Sequence, residues 1–175
     1  MQAVASWIGS LVVYLLRSHF QRIPRVKRGR FEAHEPSGDR IAGDRIQLAS
    51  RLGFGPGTSI YDSSLVIGPV KVGSDCWIGP NTLLDGSGGL LIGNSVTISA
   101  GVQIYSHLSS ANPSFERREA ATTIGDGAYI GPNAVIAMGV NVGAGATVGA
   151  LSLVLNDVEE NSTVFGAPAR PNSAR

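Results

Sequence analysis

The chain has 175 residues, of which 43% are hydrophobic and 15% are charged, and its formal net charge is +1. This content supplies a core for one domain and excludes a chain that is disordered by composition. The near-neutral charge gives no reason to expect a nucleic acid partner. A single cysteine, Cys76, excludes an internal disulfide, so a reducing compartment such as the cytoplasm is expected.

Residues 1–30 are predicted to form an amphipathic helix followed by a basic linker. Residues 1–16 carry no charged side chain, and their larger apolar residues recur at helical spacing: Val4, Trp7, Ile8, Leu11, Val12 and Leu15. The run is shorter than a membrane-spanning helix, which needs about 20 residues. It also lacks the basic N-terminal region of a signal peptide. Two interpretations stay open: peripheral contact with the inner membrane surface, or packing of the helix on its own domain or oligomer.

Residues 31–57 are expected to be an irregular lead-in, and residues 58–168 carry a six-residue repeat. Aliphatic residues recur mostly every six positions: Ile67, Val72, Ile78, Leu84, Ile92, Ile98 and Ile104, then Ile124, Ile130, Ile136, Val142, Val148 and Val154. A small or β-branched residue usually lies four positions further on. Six residues form one short strand and one tight corner, so three units close a triangular turn with the aliphatic side chains stacked inside. The pattern predicts an all-β fold, a left-handed parallel β-helix of hexapeptide repeats, with residues 169–175 as a C-terminal tail.

One protruding loop, residues 105–123, interrupts the repeat. The register places Ile104 directly above Leu84 on one face of the triangle and Ile124 on the next face, so the loop leaves at the corner between them. The segment DGSGGL, residues 85–90, adds two residues at the same corner one turn below. Two irregularities at one corner predict a functional site, because loops on a rigid scaffold often carry binding and catalytic residues.

His107 lies at the root of this loop and is the candidate general base, because imidazole exchanges protons near neutral pH. Asp85 and Asn81, from the turn beneath, are the candidate partners that orient its ring. Three residues lie further out, where they could reach a neighbour or a substrate: Phe115, Arg117 and Arg118. Cys76, in contrast, falls at a small inward position and is expected to fill the core.

The segments GNSVTISAGVQIYSH and TIGDGAYIGPNAVIAMGVNVGAGATVGALSLV, with the ending FGAPARP, resemble the hexapeptide-repeat acyltransferases. Over roughly residues 58–172 the chain is most similar to the sugar and polysaccharide acetyltransferases, which include maltose, galactoside, capsule and O-antigen enzymes. The resemblance implies a homotrimer with active sites between neighbouring β-helices and acetyl-CoA as the donor. It also implies direct transfer, with His107 taking a proton from a hydroxyl of a sugar or polysaccharide precursor.

The same resemblance suggests three positions that bind the coenzyme. Tyr129 corresponds to a residue near the thioester, Ala150 to one beside the pantetheine arm, and Arg170 to a basic residue near the phosphates, which a guanidinium binds well. Two departures stand out. Leu108 follows the loop histidine where many relatives have an acid, and Pro132 stands where some relatives offer a serine.

Other functions fit the same repeats. An N-acetyltransferase of a nucleotide-linked amino sugar would use the same catalytic parts on an amine. A γ-type carbonic anhydrase needs three histidines around zinc, and His107 is the one histidine within the repeats, so no metal is expected. A non-catalytic trimeric scaffold is a further alternative, against which the loop histidine and the GAPAR ending both argue.

Overall fold

The computed structural model describes residues 42–109, 114 and 116–172. The predicted N-terminal helix and basic linker, residues 1–30, lie outside the described residues, as does Phe115. The part of the chain that is described contains no helix with the length and apolar character that a membrane span requires.

Three parallel sheets wrap around one core and form a left-handed β-helix of about five turns. We name each face after one buried residue that it carries. The Ile98 face consists of β1 (Ser59–Ile60), β4 (Trp77–Ile78), β7 (Thr97–Ile98), β12 (Tyr129–Ile130), β15 (Thr147–Val148) and β17 (Thr163–Phe165), with β18 (Arg170–Pro171) added antiparallel at its end. The Leu84 face consists of β2 (Leu65–Ile67), β5 (Leu83–Asp85), β8 (Gln103–Ile104), β13 (Val135–Ile136) and β16 (Leu153–Val154). The Ile92 face consists of β3 (Val70–Val72), β6 (Leu90–Ile92), β11 (Thr122–Ile124) and β14 (Asn141–Val142).

The predicted inward stacks are confirmed. On the Ile98 face, Ile78, Ile98, Ile130 and Val148 pair in consecutive turns and all are fully buried. The smaller inward positions are buried as well, among them Val96, Val102, Ala128, Ala134 and Ala146. Cys76 fills one of these positions at 2% exposure, and burial raises the pKa of its thiol, so it belongs to the core as expected.

The corners of the triangle use the left-handed backbone region. Asn81 and Asn133 both have a φ of 57°, and asparagine tolerates this conformation better than most residues. Asn133 lies above Gly101, where a Cβ atom would stand 2.2 Å from the Asn133 Oδ1 atom. A corner of this kind therefore selects residues for its backbone shape and its close stacking.

The expected irregular lead-in of residues 31–57 instead contains α1 (Ala42–Arg51). Leu48 and Ala49 of this helix are buried in the same core as Phe54, and α1 packs on β1. The open end of a solenoid would otherwise expose its apolar core to water. The sequence does not predict this helix, because Leu48 and Ala49 are the only buried residues among positions 45–51, which gives too weak a periodicity.

The predicted C-terminal tail is also partly ordered. β18 pairs antiparallel with β17, with Arg170 opposite Phe165, and Ala169 N–H donates to the Leu153 carbonyl at 2.8 Å. Residues 169–172 therefore belong to a hairpin that ends the β-helix, and the predicted boundary at residue 168 falls inside it.

Candidate functional site

The interrupting loop begins and ends as a short hairpin. Leu84 pairs with Ile104 and Ile92 pairs with Ile124, so the loop leaves between the Leu84 and Ile92 faces as the register predicts. Its two ends form β9 (His107–Leu108) and β10 (Arg118–Glu119), which are antiparallel. The hairpin carries His107 out of the β-helix on backbone that is itself hydrogen-bonded.

Thr122 joins the two ends of the loop to the turns below and above. Its N–H donates to the Gly89 carbonyl at 3.0 Å, and its hydroxyl donates to the Tyr105 carbonyl at 2.7 Å. The same hydroxyl accepts from the Gly139 N–H at 2.9 Å. These bonds fix where the loop starts and where it re-enters the repeat, and with that they fix the position of the hairpin.

Asp85 lies beneath the hairpin and contacts the imidazole of His107. Its Oδ2 atom contacts His107 Nδ1 and accepts from the Ser106 N–H at 3.2 Å, while its Oδ1 atom accepts from the Ser87 N–H at 2.9 Å. The Asp85 side chain is 1% exposed and that of His107 is 25% exposed. The carboxylate is therefore buried and fully engaged, whereas the imidazole reaches the surface.

The electrostatics of this pair determine the tautomer of His107. Burial opposes ionisation of Asp85, but hydrogen bonds from Ser87, His107 and Ser106 outweigh it and hold the carboxyl pKa below its ordinary value. An ionised carboxylate only accepts hydrogen bonds, so His107 Nδ1 must carry the donated proton. With Nδ1 as the donor, Nε2 is the nitrogen that presents a lone pair in the neutral form of the ring, which is what a general base requires.

The insertion one turn below is built around Ser106. This residue is fully buried, its hydroxyl accepts from the Gly88 N–H at 2.8 Å, and its carbonyl accepts from the Ala120 N–H at 3.0 Å. A Cβ atom on Gly88 would lie 2.2 Å from the Ser106 carbonyl oxygen, so only glycine fits there. The segment DGSGGL thus supplies both the carboxylate and the close backbone approach that holds the start of the loop.

The supporting residues Ser87, Ser106 and Thr122 are not found from the sequence. Serine and threonine are common in loops, and nothing in their spacing separates them from solvent-facing neighbours. The feature of the sequence that points to them is the DGSGGL insertion, because extra glycines at one corner indicate that the backbone packs closely against the next turn of the β-helix.

The structure brings Asp85, and not Asn81, to the histidine. Asn81 lies one corner earlier, between the Ile98 and Leu84 faces, where its backbone has a positive φ. Its N–H donates to the Ser63 hydroxyl at 3.0 Å. Asn81 lies at the corner before β5 and Asp85 at the end of β5, so the expectation that both would reach His107 neglected the length of β5.

The three predicted coenzyme positions lie apart from His107 within one chain. Tyr129 is 42% exposed on the Ile98 face, which is across the triangle from the His107 corner. Ala150 is exposed at the corner between the Ile98 and Leu84 faces, and Arg170 is exposed on β18. One chain alone therefore does not place these residues beside the imidazole.

A concave surface lies near the C-terminal end of the Ile92 face. Its polar lining includes Asp126, Asn141, Asp157, Glu159 and Glu160. The carboxylates of Asp126 and Asp157 accept from the backbone N–H groups of Asn94 at 2.7 Å and Asn141 at 2.8 Å, so they stabilise corners of the fold. Within residues 42–109, 114 and 116–172, no group of histidine, cysteine and acidic side chains is arranged to hold a metal ion.

Comparisons with known proteins agree with this fold. The family described as bacterial transferase hexapeptide (six repeats) matches residues 121–156, and the hexapeptide repeat of succinyl-transferase matches residues 69–106. Serine acetyltransferase 2 of Arabidopsis thaliana is 39% identical over 93 residues, which are 53% of this chain and 29% of that protein. The chain spans less than half the length of the curated relatives that it matches.

Two solved structures are also similar. The hexapeptide-repeat acetyltransferase VCA0836 of Vibrio cholerae, complexed with acetyl coenzyme A, has a TM-score of 0.68 and 28% identity, covering 78% of this chain and 79% of that one. AntD, an N-acyltransferase from Bacillus cereus, has a TM-score of 0.64 and 24% identity over 70% of this chain and 71% of its own, a likeness in fold. Fold and repeats together define a hexapeptide β-helix with a histidine–carboxylate pair at the root of a loop. The chain resembles the hexapeptide-repeat transferases over residues 69–106 and 121–156.

Proposed function

We propose that this protein transfers an acetyl group from acetyl-CoA to a hydroxyl of a sugar or polysaccharide precursor, with His107 as the general base. The observation that carries the proposal is the contact between His107 Nδ1 and the buried Asp85 carboxylate, which leaves Nε2 as the ring nitrogen for the acceptor proton. The repeat family and the acetyl-CoA complex of the Vibrio cholerae acetyltransferase support the donor.

The reaction needs two proton transfers, one from the acceptor to His107 and one from His107 to the leaving thiolate. The acceptor O–H gives its proton to His107 Nε2 as its oxygen attacks the thioester carbonyl carbon, which forms a tetrahedral oxyanion. The oxyanion collapses, the C–S bond breaks, and the coenzyme thiolate takes the proton back from Nε2. Products are the acetyl ester and coenzyme A, and no covalent acyl-enzyme forms.

Asp85 contributes to this reaction through the imidazole. Its negative charge stabilises the imidazolium that exists between the two proton transfers, and its contact with Nδ1 fixes the plane of the ring. A positioned general base supplies about 10²- to 10⁴-fold in rate. Because Ser87 and Ser106 hold the carboxylate from two sides, it needs little reorganisation when charge develops on the ring.

A homotrimer is part of this proposal. Tyr129 and Arg170 lie away from His107 in one chain, and a rotationally symmetric oligomer places different parts of the surface side by side. The outer side of the Leu84 face lies between the corner that carries His107 and the corner that carries Ala150. It carries apolar residues on both sides of the polar Gln103, and these suit a subunit contact: Leu65, Leu83, Val135 and Leu153. The coenzyme would then lie between two copies.

The acceptor has two further candidates. A hydroxyl amino acid is favoured by the curated relatives, which are named serine acetyltransferases. An amine of a nucleotide-linked amino sugar would need the same base and the same donor, since His107 can take a proton from either nucleophile. Both candidates preserve the role of the His107–Asp85 pair.

Transfer from labelled acetyl-CoA tests the proposal directly. The purified protein is expected to bind coenzyme A saturably and to move label onto hydroxyl acceptors in a panel of sugars, nucleotide-linked amino sugars and L-serine. Product analysis separates esters from amides and so distinguishes the acceptor classes. Absence of saturable coenzyme binding would contradict the proposed activity.

A further inference from the structure

The hairpin places a second carboxylate beside His107. β9 and β10 pair with Glu119 directly opposite His107 and Arg118 opposite Leu108. Directly opposed residues of an antiparallel pair have their side chains on the same side, with β-carbons about 4.5–5.5 Å apart. Glu119 therefore shares the side of the hairpin that carries the imidazole, while Leu108 and Arg118 lie on the other side.

Glu119 is fixed at both ends. A Cβ atom on Gly88 would stand 3.2 Å from the Glu119 β-carbon, so the stem of Glu119 lies over the DGSGGL segment that supplies Asp85. At the other end, Glu119 Oε1 is 2.5 Å from Arg117 Nη2. Arg117 lies two residues earlier in the chain, just before β10.

This ion pair is not explained by stability of the fold. Its side chains are 58% exposed for Arg117 and 45% exposed for Glu119, and an exposed pair contributes little to the free energy of unfolding. What the pair does achieve is orientation. Arg117 contacts one carboxylate oxygen of Glu119, and Glu119 shares the side of the hairpin that carries His107.

An acceptor bound for attack must have its nucleophilic oxygen within hydrogen-bond reach of Nε2. A group on the neighbouring carbon of that acceptor then falls next to Glu119. A carboxylate accepts hydrogen bonds and donates none, so the group that it selects is a hydroxyl or an ammonium. A vicinal sugar hydroxyl and the ammonium of a hydroxyl amino acid share this chemistry.

Resting on the proposed function, we infer that Glu119, held by Arg117, is a positioning residue that accepts a hydrogen bond from a donor group adjacent to the accepting hydroxyl. The site thus favours acceptors with a vicinal donor. His107 performs the proton transfer, and Glu119 decides which hydroxyl is presented to it.

The test compares Glu119→Gln with the wild type on two matched acceptor pairs. One pair is L-serine and 3-hydroxypropanoate, which lacks the ammonium; the other is methyl α-glucopyranoside and its 3-deoxy analogue. The wild type is expected to prefer the parent in at least one pair, and that pair identifies the donor group. In Glu119→Gln, kcat/KM for that parent should fall about tenfold, as expected for losing a hydrogen bond to a charged group. The value for the analogue should change much less, so the preference disappears.

The matched control is Glu116→Gln, which removes an exposed carboxylate of the same loop outside the paired strands and should keep the wild-type preference. A preference that survives in Glu119→Gln would overturn the inference, and so would an equal loss for parent and analogue, which indicates structural damage. A wild type that binds coenzyme A but acetylates neither parent also contradicts it. A wild type without saturable coenzyme binding contradicts the proposed function itself.

Discussion

Replacing His107 with alanine is expected to lower kcat for acetyl transfer by about 10²- to 10⁴-fold, the range that a positioned general base supplies. The reason is that Asp85 cannot replace the imidazole as the base, since it is buried and bound on both oxygens. Steady-state kinetics with labelled acetyl-CoA measure the loss. The KM for acetyl-CoA should change little, because the imidazole acts on the acceptor.

Leu108→Ala is the matched control for this variant. Leu108 is the next residue of β9, it is exposed, and its side chain lies on the other side of the hairpin from His107. It should retain activity within about threefold of the wild type, as surface substitutions usually change stability and packing little. Circular dichroism and coenzyme binding report whether His107→Ala is folded. A folded His107→Ala protein with full activity would remove His107 from the mechanism.

Replacing Asp85 with asparagine is expected to lower kcat by about 10²-fold, the cost of misplacing a catalytic group. Asparagine keeps the shape of the side chain but removes the charge that stabilises the imidazolium. Its amide nitrogen can also face the ring, which favours the tautomer with the proton on Nε2. The expected signature is a reduced kcat with a nearly unchanged KM for acetyl-CoA, and wild-type kinetics in Asp85→Asn would show that the contact is structural.

The same substitution has a pH signature in stability. The pKa of Asp85 is lowered in the folded protein, so its ionised form favours folding above the ordinary carboxyl pKa. That contribution is lost as the pH falls through the lowered pKa. Urea unfolding should therefore show the largest difference between the wild type and Asp85→Asn near neutral pH, and the difference should shrink below pH about 4. A difference that is independent of pH would mean that the charge of Asp85 does not stabilise the fold.

The repeat could be read from the sequence because each aliphatic residue has one possible position. The six-residue period, together with the insertions at residues 85–90 and 105–123, determines the turn of the β-helix on which every later residue falls. The pairing of Leu84 with Ile104 confirms this register. The same register placed Asp85 under the loop. Contacts that follow from the register alone are therefore predictable without coordinates.

Other features depend on interactions that periodicity does not contain. Asn81 is polar and lies one turn below His107, which favours a place in the site, yet its corner selects it for backbone conformation. Glu119 and Arg117 lie in a loop whose length is not a multiple of six, so their pairing opposite His107 depends on where the hairpin closes. The helix α1 contributes few core residues, and the open end of the β-helix, rather than its own pattern, accounts for its position.

The location of the bound coenzyme tests the central claim most directly. The proposed mechanism requires the acetyl carbonyl carbon to stand within about 6 Å of His107 Nε2, which leaves room for one acceptor oxygen in hydrogen-bond contact with the base and in attack distance of the carbon. A crystal structure with acetyl-CoA is predicted to show this distance, with the coenzyme lying between two copies of the chain and Tyr129 and Arg170 contributed by the neighbour. A coenzyme bound with its thioester at another corner of the β-helix would contradict the assignment of His107 as the base.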